Sequence, residues 1–166
     1  MNDTYVEVMV ARKKPPMLGF LKILLYGLAI ICFFMSMYMN ALLLAGAAIF
    51  AALAFFVLPR LDVEYEYLYL DKEITIDKIM SREKRKNVYT LDLNKMEFMA
   101  RASSHELDSY RARNLKTYDF TSGMDTSPVY TIVYAKGGEP ELVNIEPNEE
   151  MLRAIRTVFP RKVIDV

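Results

Sequence analysis

The sequence predicts a membrane α-helical hairpin followed by a mainly β domain of seven antiparallel strands closed by a C-terminal α-helix. Three observations carry this. Residues 23–59 contain no Asp, Glu, Lys, Arg or His. Beyond residue 60, apolar and aromatic residues alternate with charged ones in short stretches separated by turn-forming residues. Near the C-terminus, apolar residues recur at helical spacing behind a capping asparagine.

As one helix, the uncharged run would extend ~56 Å, nearly twice the ~30 Å hydrocarbon core of a bilayer. Asn40, its strongly polar residue, divides it, so two spans are expected over 17–39 and 41–58, turning around residues 36–40. Arg12, Lys13 and Lys14 precede the pair, Arg60 follows it, and the turn carries no cation. The positive-inside rule then makes this a multi-pass cell-membrane protein with both termini cytoplasmic, residues 1–16 forming a cytoplasmic N-terminal segment. Lys22 lies close enough to the start of the first span to snorkel to the same interface. Ala45-Gly46-Ala47 resembles a signal-peptidase site, but the apolar stretch before it is too long for a signal peptide and more apolar sequence follows. The single cysteine, Cys32, falls inside the first span, which agrees with a reducing compartment.

Ala41, Ala45, Ala48 and Ala52 place small side chains on one face of the second span. Such faces let helices approach closely in lipid. Packing on the first span near Gly27 is the favoured reading, and a homodimer seam is the alternative. Apart from Lys22 the spans carry no Asp, Glu, Lys, Arg or His, which argues against an ion path.

Residues 60–166 are of normal size for one compact domain and are expected to supply their own core. They hold 17 Lys/Arg and 19 Asp/Glu, a balance without the concentrated basic face that nucleic acid requires. Residues 61–67 alternate apolar residues with carboxylates and continue into an apolar run at 67–70. Asp71-Lys72-Glu73 reverses the chain into 74–76, and residues 81–86 reverse it into 88–93. Further strands are expected at 96–100, 115–121, 129–136 and 141–145, the last three separated by Ser122-Gly123 and Gly137-Gly138. Many tyrosines fall in these strands, where core packing explains them. Asn148 then caps a helix, Glu149 and Glu150 suit its first turn, and Met151, Leu152, Ile155, Val158 and Phe159 form its apolar face. Leu152 and Ile155 are expected to cover the barrel mouth, with Phe159 anchoring the last turn and Arg153 outside.

This order, with Glu64-Tyr65-Glu66-Tyr67, the hairpin at 70–77, the basic turn at 82–86 and the helix start Glu146-Pro147-Asn148-Glu149-Glu150, resembles bacterial membrane proteins in which two N-terminal spans carry a PH-like (pleckstrin-homology superfold) cytoplasmic domain. The resemblance covers nearly the whole chain, and it implies an interaction module while importing no catalytic residue. The first hairpin loop of phosphoinositide-binding PH domains is rich in Lys and Arg; here Asp71-Lys72-Glu73 is net negative, so inositol-phosphate binding is disfavoured.

Two surfaces are candidates for binding. Arg82, Lys84, Arg85 and Lys86 form a basic turn that could face anionic membrane lipids. Residues 102–114 form the longest connection, and its Leu107, Tyr110, Arg111 and Arg113 are suited to a protein partner. The sole histidine, His105, lies beside Ser103, Ser104, Glu106 and Asp108, but triad members are normally brought together from separate elements. One His and one membrane-buried Cys leave no zinc ligand set. The expectation is a membrane-anchored interaction or scaffold module with no cofactor and no catalytic activity. An anionic-lipid sensor is the alternative, and a membrane enzyme using His105 the third reading.

Overall fold

The computed structural model describes residues 5–13, 17–56, 63–80, 84–125, 127–135 and 137–164. The chain divides into two compact units.

The first unit is β-rich and begins ahead of the apolar run. Val6–Ala11 (β1) alternates Val6, Val8 and Val10 with Glu7 and Met9 and pairs antiparallel with Val63–Leu70 (β2). Glu73–Met80 (β3) and Lys84–Asp92 (β4) complete a sheet of order β1-β2-β3-β4. The β2–β3 reversal is a two-residue turn, Asp71 and Lys72 both at positive φ (50° and 67°). That geometry matches the right-handed twist of the flanking strands. Leu93 N–H donates to the Lys72 carbonyl at 2.8 Å, fastening this turn to the chain beyond β4.

Met96–Arg101 (β5), Thr117–Asp119 (β6), Tyr130–Tyr134 (β7), Glu141–Ile145 (β8) and Val163–Ile164 (β9) form a second sheet of order β6-β8-β7-β5-β9. Its centre is antiparallel, but both edge pairings, β6–β8 and β5–β9, are parallel. Among the described residues, nine strands in two sheets therefore replace the expected seven antiparallel ones. The additions are β1 and the two-residue β9, with β9 held by Lys162, whose Nζ donates to the carbonyls of Asn94 (3.1 Å) and Met96 (2.6 Å). The domain expected over 60–166 is thus drawn from two stretches of chain on either side of the apolar run. Tyr65, Tyr67, Tyr69, Tyr130 and Tyr134 are all buried, together with Ile74, Ile76, Leu91, Met99 and Ile132.

A long apolar-faced helix precedes β9. Glu149–Val158 (α4) starts at Asn148, whose Oδ1 accepts from Met151 N–H at 2.8 Å. Met151 and Ile155 are fully buried, one helical turn apart. Ile155 covers the core as expected, but Leu152 is only half-buried and Val158 is exposed, and Met151 takes the place expected of Leu152. Phe159 is half-buried at the helix end with the Lys162 ammonium 5.5 Å from its ring.

The second unit is a helical hairpin. Met17–Tyr38 (α1) is long and apolar enough to cross a membrane. Leu42–Phe56 (α2) supplies 15 described residues, roughly 22 Å of apolar helix. Residues 39–41 form the turn, and residues 57 and 58 of the expected second span lie outside the described residues. Asn40 Oδ1 accepts from Leu42 N–H at 3.0 Å, capping α2, while Ser36 stays helical with its hydroxyl bonded to the Phe33 carbonyl. Ala47 and Ala54 are the buried alanines of α2, whereas Ala41, Ala45, Ala48 and Ala52 are all exposed. The predicted stripe is therefore not the intrachain seam. No heavy atom beyond its helix neighbours lies within 4 Å of where a β-carbon on Gly27 would stand, so close approach there is also absent.

Candidate functional site

The structure separates the residues that the sequence grouped. Arg82 lies outside the described residues; Lys84, Arg85 and Lys86 belong to strand β4 and are exposed. Arg85 is engaged: its Nη2 donates to Glu66 Oε1 at 2.5 Å and its Nε lies 3.9 Å from Asp77 Oδ2. The basic stretch is hence a charged edge strand rather than a turn, and its middle cation neutralises a buried acid. Lysines on an edge strand also discourage unwanted strand pairing.

The connection at 102–114 is folded onto the second sheet. Ser104 Oγ caps a short 3₁₀ turn, His105–Leu107, which leads into Asp108–Arg111 (α3). Leu107 is fully buried against Ala100, Val133 and Leu142, so it anchors the connection and cannot serve as an exposed partner contact. Tyr110 stacks edge-on against Phe98, with its hydroxyl donating to Glu97 Oε2 at 2.9 Å. Arg111 bonds Asp108 and the Ala102 carbonyl, and Arg113 is exposed. His105 is fully exposed and faces Asp108 Oδ2 at 3.2 Å, while Ser104 Oγ is turned to Glu106 N–H. That geometry gives the imidazole no nucleophile. Among the described residues, no group of three His, Cys, Asp or Glu could hold a metal ion.

What the sequence missed is a cleft of about 460 Å³ in the first unit. One wall is β1, through residues 8–11; the other is the loop holding Ser122, Met124, Ser127 and Pro128 together with the start of α4, from Glu146 to Glu149 and Leu152. The volume falls in the ~300–1,000 Å³ range of ligand sites. Its floor is fixed. Glu146 is buried, and its Oε1 accepts from both Ser122 N–H (2.9 Å) and Ser122 Oγ (2.8 Å). Behind it, the Tyr67 hydroxyl donates to the Phe120 carbonyl at 2.6 Å and accepts from Glu146 N–H at 3.4 Å. Burial pushes the Tyr67 phenol well above its ordinary pKa, so it stays a donor at any physiological pH. The signal for β1 was present, in the alternation Val6, Val8, Val10. What the sequence could not give was where that strand pairs, because 51 residues separate Ala11 from Val63.

A comparison with protein families matches residues 2–165 to the bacterial PH-like domain family (DUF6106), and the chain belongs to that family. No curated protein and no solved structure matches the chain.

Proposed function

We propose that the chain is a membrane-anchored PH-like module that recruits a protein partner at the cytoplasmic face of a bacterial membrane. One observation carries this reading. The apolar hairpin is inserted between two neighbouring strands, and Ala11 and Glu64, which flank it, stand opposite each other in the β1–β2 pair. A chain that leaves a sheet and returns to the adjacent strand crosses any bilayer an even number of times. With α1 long enough for one crossing, α2 supplies the return. Both termini then lie on the side of the β unit, and the basic residues Arg12 and Lys13 make that side the cytoplasm.

Recruitment is supported by the family's PH-like character and by a preformed cleft. Site-specific photocrosslinking in intact cells tests it. A photoreactive residue at the exposed Met124 or Arg113 should give discrete protein adducts. Adducts to lipid alone at both positions would contradict recruitment. The lipid-sensing alternative is favoured by the exposed Lys84 and Lys86, each worth ~1 kcal/mol near an anionic surface, and opposed by the engagement of Arg85. Amide protection of β4 in anionic but not zwitterionic nanodiscs would support it.

A further inference from the structure

We propose that the cleft between β1 and α4 takes an extended, basic peptide segment of a partner protein, added to β1 as a further strand of its sheet. This rests on the recruitment reading and names the surface responsible for it.

Residues 8–11 all line the cleft, although side chains along a strand alternate between faces. Four consecutive residues can share one cleft only if it runs along the strand's edge. The edge is the one away from β2, because β1 is the terminal strand of its sheet. In an antiparallel pair every second residue turns its N–H and C=O away from the partner strand. Among the described residues, no backbone group outside β2 bonds to residues 8–11. A row of main-chain donors and acceptors beside a groove is the arrangement that captures an extended peptide. Four residues of strand span about 13 Å, enough for a core of four peptide residues.

The lining specifies what the peptide carries. Met9 and Met124, on opposite walls, are exposed and flexible, and Leu152 is half-buried between polar neighbours, so apolar side chains find adaptable contacts. Glu146 and Glu149 line the same cleft, and no Lys or Arg does. The helix start does not favour an anion, because Asn148 already occupies Met151 N–H and two glutamates stand in the first turn. The complement is a strand of alternating apolar residues with a Lys or Arg opposite the glutamates. The Ser122–Glu146 and Tyr67–Phe120 bonds hold the second wall in place, which limits the ordering cost to the peptide.

The test uses the full chain in lipid nanodiscs. A random dodecapeptide display library is panned on it, with empty nanodiscs as the subtraction, and enriched peptides are measured by fluorescence anisotropy and hydrogen–deuterium exchange. Expected are sequences with alternating apolar residues and at least one Lys or Arg, which slow exchange at residues 6–11. Glu149→Lys should weaken them roughly tenfold or more, and changing the peptide's Lys to Glu should restore binding to that variant. The rescue separates a lost contact from a misfolded protein. Peptides that protect residues 102–114 instead would overturn the cleft while leaving recruitment standing. Enrichment indifferent to Glu149→Lys, no enrichment, or protection of β1 that rises with protein concentration without peptide would each overturn it, the last by making a second copy the occupant.

Discussion

At the scale of single residues, Glu66 is the most constrained ionisable group. Its side chain is 1% exposed, and Oε2 has no hydrogen-bond partner among the described residues. Burial raises the Glu66 pKa, the Glu7 contact and the Asp77 charge push the same way, and Arg85 only partly offsets them. The folded state therefore holds a proton that the unfolded chain releases near pH ~4.3. Stability from this site is full below that pH and is lost as pH rises through the raised folded value. Glu66→Gln, neutral throughout, should gain in denaturation midpoint relative to the parent as pH goes from ~4.5 to ~7. A constant gap across that range would contradict the raised Glu66 pKa. The β2–β3 turn offers a second check. Lys72 holds φ 67°, a conformation that costs a side-chain-bearing residue ~1 kcal/mol, and Asn-Gly is the preferred pair for such turns. Asp71→Asn with Lys72→Gly should raise the thermal midpoint; a fall would mean that the Lys72 side chain makes a contact outweighing its strain.

At the scale of elements, α4 separates what was legible in the sequence from what was not. Its cap, acidic first turn and apolar stripe follow from local rules, since Asn148, Glu149 and Ile155 each act within one or two turns of helix. Ile155 was placed rightly; Met151 rather than Leu152 is its buried partner, because both are apolar and only the packed sheet distinguishes them. Met151→Ala or Ile155→Ala should therefore cost ~2–5 kcal/mol, and Arg153→Ala, whose pair with Glu149 is solvent-exposed, under ~0.5 kcal/mol. Chemical denaturation of the full chain in micelles checks this, and near-equal midpoints would remove α4 from the core. Non-local pairings were out of reach for the same reason: the cleft exists because β1 joins β2 across the whole hairpin, and β9 joins β5 from beyond α4. The basic residues at 84–86 were legible as a charge run, but the acids that engage Arg85 come from β2 and β3.

At the scale of the whole molecule, the apolar hairpin is inserted in the chain between strands β1 and β2 of the β unit. Two consequences follow. Residues 60–166 alone lack β1, and with it Val6, Val10 and one wall of the cleft, so they should not give a cooperative melt. A chain in which residues 13–62 are replaced by a short Gly/Asn turn should be soluble and cooperative, because Ala11 and Glu64 already stand opposite each other. The proposed membrane anchoring has the hairpin begin and end on one side of the membrane, and labelling of single cysteines in intact cells tests this most directly. In a Cys32→Ser background, Met39→Cys should react with an impermeant maleimide added outside, while Arg12→Cys and Arg113→Cys should react only after lysis. Labelling of Arg113→Cys in intact cells, or no external labelling of Met39→Cys, would contradict a cytoplasmic β unit carried on a two-pass hairpin.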